Sequence, residues 1–300
     1  MKNLIYLLLA MPLLFTSCNN DNTVFEGEEV QVSFRAEIPV TRAAALTVDK
    51  VVCAVFENDN EIDKLRKTID IVDGEDIVFA PRLIKGRTYD IVFWAMKDNN
   101  YNVADMTKII RNDNATATGE ADYDAFTASE EVNVTNSVSL PVTLTRPLAQ
   151  LNVAISEEDW NAAKNLFGMT PTTTEIKVAK KTFNALYGVA ENTVVGGTEY
   201  ITYNLTASGA NVKVNGTDYK SIASRYIFAT NESESHIIDI TAVKDQNNKV
   251  IRSDVQIPAV TLQSNYKTNV VGSILTGTVN CTISIDDTPF TDGTNENIQE

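Results

Sequence analysis

Apolar and polar residues alternate along almost the whole of this 300-residue chain, and that period of two most constrains what it can fold into. Val30, Val32, Phe34, Ala36 and Ile38 share one face of VQVSFRAEI, with Gln31, Ser33, Arg35 and Glu37 on the other. Similar runs occur at DKVVCAVFE, TYDIVFWAM, EVNVTNSVSLPVTL, AQLNVAI, TEYITYNL, RYIFAT, HIIDITAV, VIRSDVQI and TVNCTISI. Successive side chains of a strand point to opposite faces, so the pattern predicts strands with one buried and one wet face. Turn formers separate the runs at Asp73 and Gly74, Gly196 and Gly197, Asn215 and Gly216, and in KDQNNK from Lys244 to Lys249. Short strands at this spacing predict an all-β chain built from packed antiparallel sandwiches.

Three places depart from plain alternation. Ser156 precedes Glu157, Glu158 and Asp159, then come Trp160, Ala163, Leu166 and Phe167, and Gly168 follows. A capping serine, an acidic first turn, an apolar stripe and a glycine stop predict one helix over 157–167, with Trp160 as a core anchor. In DIVFWAM both Ile91, Phe93, Ala95 and Val92, Trp94, Met96 are apolar, which predicts a strand covered on both sides or lying at a domain contact. Residues 98–124, rich in Asn, Asp, Ala and Thr, read as a long loop with a helical turn near Met106. Arg146 and Pro147 end one series of strands before LAQLNVAI begins the next; two domains meeting there also suit the length.

The N-terminus reads as an export signal. Lys2 supplies a basic start, residues 4–15 an apolar run, and Thr16 and Ser17 small residues before Cys18. The run is about half of the roughly 20 residues a spanning helix needs. A cysteine at the cut, followed by Asn19, Asn20 and Asp21, looks like a bacterial lipoprotein signal in which Cys18 becomes the acylated N-terminus; an ordinary secretory signal is the alternative. The net charge of −15 repels phosphate, which makes nucleic acid a poor partner and leaves membrane attachment to acyl chains.

Little else points to chemistry. Cys53 and Cys281 each sit at period two among aliphatic residues and read as small core residues, although export would permit a disulfide between them. His236 is the only histidine and alternates with Ile238 and Ile240 on a strand, so no histidine-based triad or metal cluster can be assembled. The acidic pairs Glu130–Glu131 and Asp286–Asp287 are unremarkable among 40 acidic residues, and no phosphate-binding glycine motif occurs. The loops FENDNEID and IDDTPFTDGTNEN are oxygen-rich but lack calcium-loop spacing. No enzyme, cofactor or metal site is expected. For a glycan surface, with both tryptophans assigned to the core, Tyr101 and Tyr123 in the long loop are the available exposed aromatics.

The lipoprotein signal, the run PVTRAAA, the segment DAFTASEEVNV, the boundary RPLAQLNV and the late block NYKTNVVGSILTGTVNCTISID together resemble the fimbrillin-like lipoproteins, subunits and accessory proteins of type V pili in Gram-negative anaerobes. The similarity covers nearly the whole mature chain. It implies two tandem transthyretin-like β-sandwich domains, an outer-membrane lipid anchor, and removal of the first strand by a protease that cuts after an arginine. A donor strand from another subunit would then fill the groove. By this resemblance the cut falls between Arg42 and Ala43, and the removable strand carries Val30, Val32, Phe34, Ala36 and Ile38. The implied layout is a signal peptide at 1–17, a propeptide at 18–42, and domains at 43–147 and 148–300. The tail after Ile285 holds Phe290 and Ile298 as its large apolar residues, together with Pro289 and acidic clusters. It is therefore a poor donor strand, as expected of a tip or accessory subunit; the competing reading is that TVNCTISI itself swings out to donate. Two functions follow: an adhesive pilus component bound to other subunits and to a host or bacterial surface ligand, or a surface glycan-binding lipoprotein of a nutrient-uptake system.

Overall fold

The computed structural model describes residues 27–39, 48–113, 120–193 and 197–286. The first half runs β1 (Glu29–Glu37), β2 (Lys50–Glu57), β3 (Asn60–Glu61), β4 (Lys67–Asp70), β5 (Ile77–Phe79), β6 (Arg82–Ile84), β7 (Thr88–Met96), β8 (Tyr101–Asn102), β9 (Ile110–Arg111), β10 (Ala125–Asn133) and β11 (Val138–Thr143). One sheet has the order β11-β1-β5, with β6 also on β1; the facing sheet is β10-β7-β2-β3, with β4 on β2. Their inner faces meet in a core that includes Val32, Phe34, Phe79, Leu83, Cys53, Ile91, Phe93 and Val142. Burying each large aliphatic or aromatic side chain contributes about 1.5–3 kcal/mol, so this interior carries most of the stabilisation.

The second half runs β12 (Leu148–Ser156), α1 (Glu157–Phe167), β13 (Pro171–Ala179), β14 (Lys181–Asn184), β15 (Val189–Asn192), β16 (Tyr200–Thr206), β17 (Asn211–Val214), β18 (Thr217–Phe228), β19 (Glu234–Asp245), β20 (Val250–Leu262), β21 (Lys267–Ser273) and β22 (Asn280–Ile285). Here the sheets are β17-β18-β12-β21-β22 and β16-β13-β19-β20. The Ser156 side chain accepts from the Asp159 N–H, and Gly168 closes α1 in the left-handed conformation. Trp160 packs half-buried against this core and lies over Gly209, where a Cβ would come within 2.8 Å of the indole.

Pairing is antiparallel except at one place in each sandwich. β1 runs parallel to β11, and β12 runs parallel to β21. The antiparallel sandwiches expected from the sequence are present, and these two parallel pairs are added to them. A parallel pair needs a long connection, and in both cases most of the domain lies between the partners. Period two reports which face a residue takes but not the direction of its neighbour.

The two sandwiches share a third apolar cluster, and Trp94 is its centre. The outer face of β7 and β2 (Val92, Trp94, Met96, Val52, Ala54, Phe56) packs against Leu148, Phe183, Tyr226 and Phe228 of the second sandwich. Trp94 is fully buried, with ring centroids of Tyr101, Phe183 and Phe228 at 5.3, 5.5 and 6.1 Å. Both faces of β7 are covered, as its composition predicts. The described residues of the 98–124 stretch do not form a wholly exposed loop. Met106 and Ile109 are fully buried, and Ile109 exchanges backbone hydrogen bonds with Phe183 across the junction. Tyr101 and Tyr123 are therefore buried rather than available to a glycan, and the Tyr101 hydroxyl donates to the Tyr123 carbonyl at 2.5 Å. The covering residues lie far away in sequence, so local polarity gave the opposite impression.

Candidate assembly groove

β1 is the strand that the resemblance assigns to removal, and its surroundings follow from its alternation. Val32, Phe34 and Ala36 are buried in the first core, while Val30 and Ile38 pack partly buried against it. Phe34 stacks on Phe79 at 6.4 Å and meets the edge of Phe93 at 6.2 Å. The outward residues Glu29, Gln31, Arg35 and Glu37 are exposed. Arg35 pairs with Asp76 at 2.8 Å where both side chains are more than half exposed, an ion pair contributing about 0–1 kcal/mol.

The strand sits inside its sheet, not at the margin. On one side Val32 to Glu37 pair with Val138 to Thr143 of β11. On the other, Phe34 to Ala36 pair with β5 and Glu29 to Gln31 with β6. At its start the chain comes so close to β6 that a Cβ on Gly27 would lie 2.5 Å from Ile84 Cγ2, with φ at +146°. Withdrawing β1 would open a slot between two ladders, floored by Phe79, Phe93, Leu83 and Val142. Unpaired strand edges beside uncovered aromatic rings form a template for another strand.

Cys18, Arg42 and Ala43 lie outside the described residues. Arg42 falls on the connection between the end of β1 and Val48, which is buried in the same core. The cysteines Cys53 and Cys281 are free, one in each sandwich. Burial pushes the Cys53 thiol up to about 12, which makes it inert as a nucleophile. Burial likewise raises Cys281. His236 lies beside Glu234 and Lys181; burial first and the Lys181 charge second lower its pKa, against the pull of Glu234. Among the described residues no group of His, Cys, Asp and Glu converges as metal ligands, and no helix is long and apolar enough to cross a membrane.

Three polar constructions were not legible in the sequence. At the junction, Arg146 and Asp124 form a bidentate ion pair at 2.5 and 2.8 Å with both side chains 1% exposed, and Arg146 also donates to Asn265. Nearby, Arg111 and Arg225 share Glu120 and Asp113 across the two sandwiches. In the second sandwich, Asp159 accepts from the backbone N–H groups of Ile274, Leu275 and Thr276 and from the Thr276 hydroxyl. That buried carboxylate fixes the β21–β22 connection, although its sequence position shows only an acidic first helical turn.

A family model described as a family of unknown function (DUF6562) matches residues 22–298. The chain belongs to this family. No curated protein matches the sequence. Among solved structures, a candidate adhesin from Bacteroides thetaiotaomicron superposes with a TM-score of 0.53 at 13% identity, over 87% of this chain and 98% of that one. The tip fimbrial protein Mfa3 and the fimbrial anchor protein Mfa2 of Porphyromonas gingivalis give TM-scores of 0.45 and 0.44 at 14% and 10% identity. They cover 86% and 81% of this chain, and 99% and 90% of their own. At these identities the first likeness speaks for a shared fold.

Proposed function

We propose that this member of the family is a non-enzymatic component of a surface fimbrium, anchored at the outer membrane through Cys18 and serving adhesion. In this reading a protease cuts between Arg42 and Ala43, β1 leaves, and a strand from a neighbouring subunit takes its place. The observation that carries the reading is the setting of β1. It is central in its sheet, buried on one face, and joined to the domain by the connection that holds Arg42. The adhesin-like fold of the Bacteroides thetaiotaomicron protein and the sequence resemblance to fimbrillin-like lipoproteins support it. The composition of residues 286–300 suits a subunit that accepts a donor strand rather than gives one, hence a tip or accessory role.

The decisive measurement is the N-terminal sequence of protein recovered from the cell surface. Ala43 at the N-terminus of assembled material supports strand removal. Assembled material that still begins at Cys18 overturns it. Cys18→Ser should leave the precursor unprocessed, and labelled fatty acid entering that variant would refute the anchor. Mixing protein truncated to begin at Ala43 with itself tests the tip role: SDS-resistant ladders, abolished by deleting residues after Thr278, would mark a stalk-like donor instead.

A further inference from the structure

A cleft of about 410 Å3 opens where the sandwiches meet, walled by β10, by residues 143–147, by the β14–β15 turn and by Asn231 and Ser264. Domain junctions are common places for small-molecule sites, and this volume falls in their usual range. β1 contributes none of its described lining, so the cleft persists whichever strand occupies the groove.

Its chemistry is acceptor-rich with one flat apolar face. Tyr187 stands on the β14–β15 turn with 60% of its surface exposed. Its hydroxyl is hydrogen-bonded to Asp59 of the first sandwich, which raises its pKa and holds the ring across the junction. Asp90 and Glu131 sit directly opposite each other on β7 and β10, a like-charge pairing that disfavours the sheet by itself. Burial first, then Glu131 and Asp59, push the Asp90 carboxyl up. A more basic carboxylate is a stronger acceptor for an uncharged O–H, and such charge-assisted bonds are about twice as strong as neutral ones. Ser129 and Thr143 line the same space, and Asn231 adds an amide whose Oδ1 already accepts from Ser264.

We propose that this cleft binds a neutral saccharide, with Tyr187 stacking on one sugar face and Asp90, Glu131 and Asn231 bonding its hydroxyls. The proposal extends the adhesion reading by naming the ligand class. Negative charge excludes sialylated and sulfated glycans by repulsion. A cationic peptide is disfavoured because Glu130 and Glu131 are exposed, where ion pairs are screened and weak, and a single aromatic ring makes no enclosing cage.

The test is a glycan array of neutral, sialylated and sulfated oligosaccharides probed with the purified protein. Titration with the best neutral oligosaccharide and with tetralysine follows. Selective neutral-glycan binding is expected, weakened about tenfold by Tyr187→Ala. Tyr187→Phe, which keeps the ring, should retain most of the affinity, and Glu131→Gln, which exchanges a charge-assisted bond for a neutral one, should weaken it about threefold to fivefold, less than Tyr187→Ala. Unchanged thermal midpoints confirm that these surface variants fold. Absence of neutral-glycan binding overturns the proposal, as does binding that survives Tyr187→Ala or a preference for anionic glycans or tetralysine. Binding is read on the monomer, so a failure here is distinct from a failure of strand exchange.

Discussion

β1 and β12 occupy matching places in the two sandwiches. Each lies inside its sheet, each opens its half of the described structure, and each runs parallel to a late strand of the same half, β11 or β21. They differ in what covers them. Eight consecutive residues of β12, from Leu148 to Ile155, are buried on alternating faces, whereas in β1 only Val32, Phe34 and Ala36 are buried. The outward side of β12 is occupied by Leu148 in the shared cluster and by Gln150 and Asn152, which hydrogen-bond one another and reach Ser224 and Asn269. Pulling β12 out would break the second core, that polar network and the junction together. Pulling out β1 breaks one core and two ladders. The same topological position is thus covered on both faces in one sandwich and on one face in the other, which under the proposed assembly suits β1, and not β12, to replacement.

Hydrogen exchange offers the largest effect with which to break this comparison. After proteolysis at Arg42, amides of β1 should exchange at least 100-fold faster than those of β12, since a strand held by one face opens locally at lower cost. Equal protection of the two strands would show that β1 is as permanent as β12. Next come two core truncations. Phe34→Ala and Trp94→Ala should each cost about 3–5 kcal/mol in urea unfolding of the uncut chain. The Phe34 cost should vanish once β1 has been exchanged for a donor strand, and the Trp94 cost should persist. A thermal midpoint unmoved by Trp94→Ala would contradict its burial at the junction.

A smaller effect is expected at Asp159. Asp159→Asn leaves one oxygen for the N–H groups that two now serve, and should lower stability by about 1–3 kcal/mol while loosening the β21–β22 connection. Exchange protection retained at Ile274 to Thr276 would refute the role given to this carboxylate. Smallest is the histidine. The folded pKa of His236 is depressed below 6.5, so the unfolded chain binds the extra proton first as pH falls. The His236 contribution to stability should be flat above about pH 7, decline as pH drops below 6.5, and level off once the folded state also binds the proton. His236→Gln should remove that part of the slope.

The sandwich framework and the two-sided burial of β7 were legible because both are local: period two marks faces, and apolar residues in both phases mark a doubly covered strand. Ser156 and Gly168 likewise announced the ends of α1. Contacts distant in sequence were illegible. Arg225 and Glu120 meet across 105 positions, and each reads as an ordinary charge on an exposed segment. Tyr101 and Tyr123 look solvent-facing until Trp94 and Arg111 are placed against them. For the groove, the buried residues of β1 were readable from alternation, but its central position between β11 and β5 depends on pairing that no periodicity encodes. The cleft was unreadable because its walls come from six separate stretches of chain.

The parallel ladder from Val32 to Glu37 against Val138 to Thr143 has a consequence for anything that replaces β1. A strand reproducing those hydrogen bonds must travel in the same direction as β11 and opposite to β5 and β6. Its owner then lies always on the same side of the acceptor. In the proposed assembly such contacts are head-to-tail, and where their rotation does not close a ring they extend as a filament with two unlike ends. Growth under that proposal would be vectorial, with the polarity of the fibre written into the sense of one short strand.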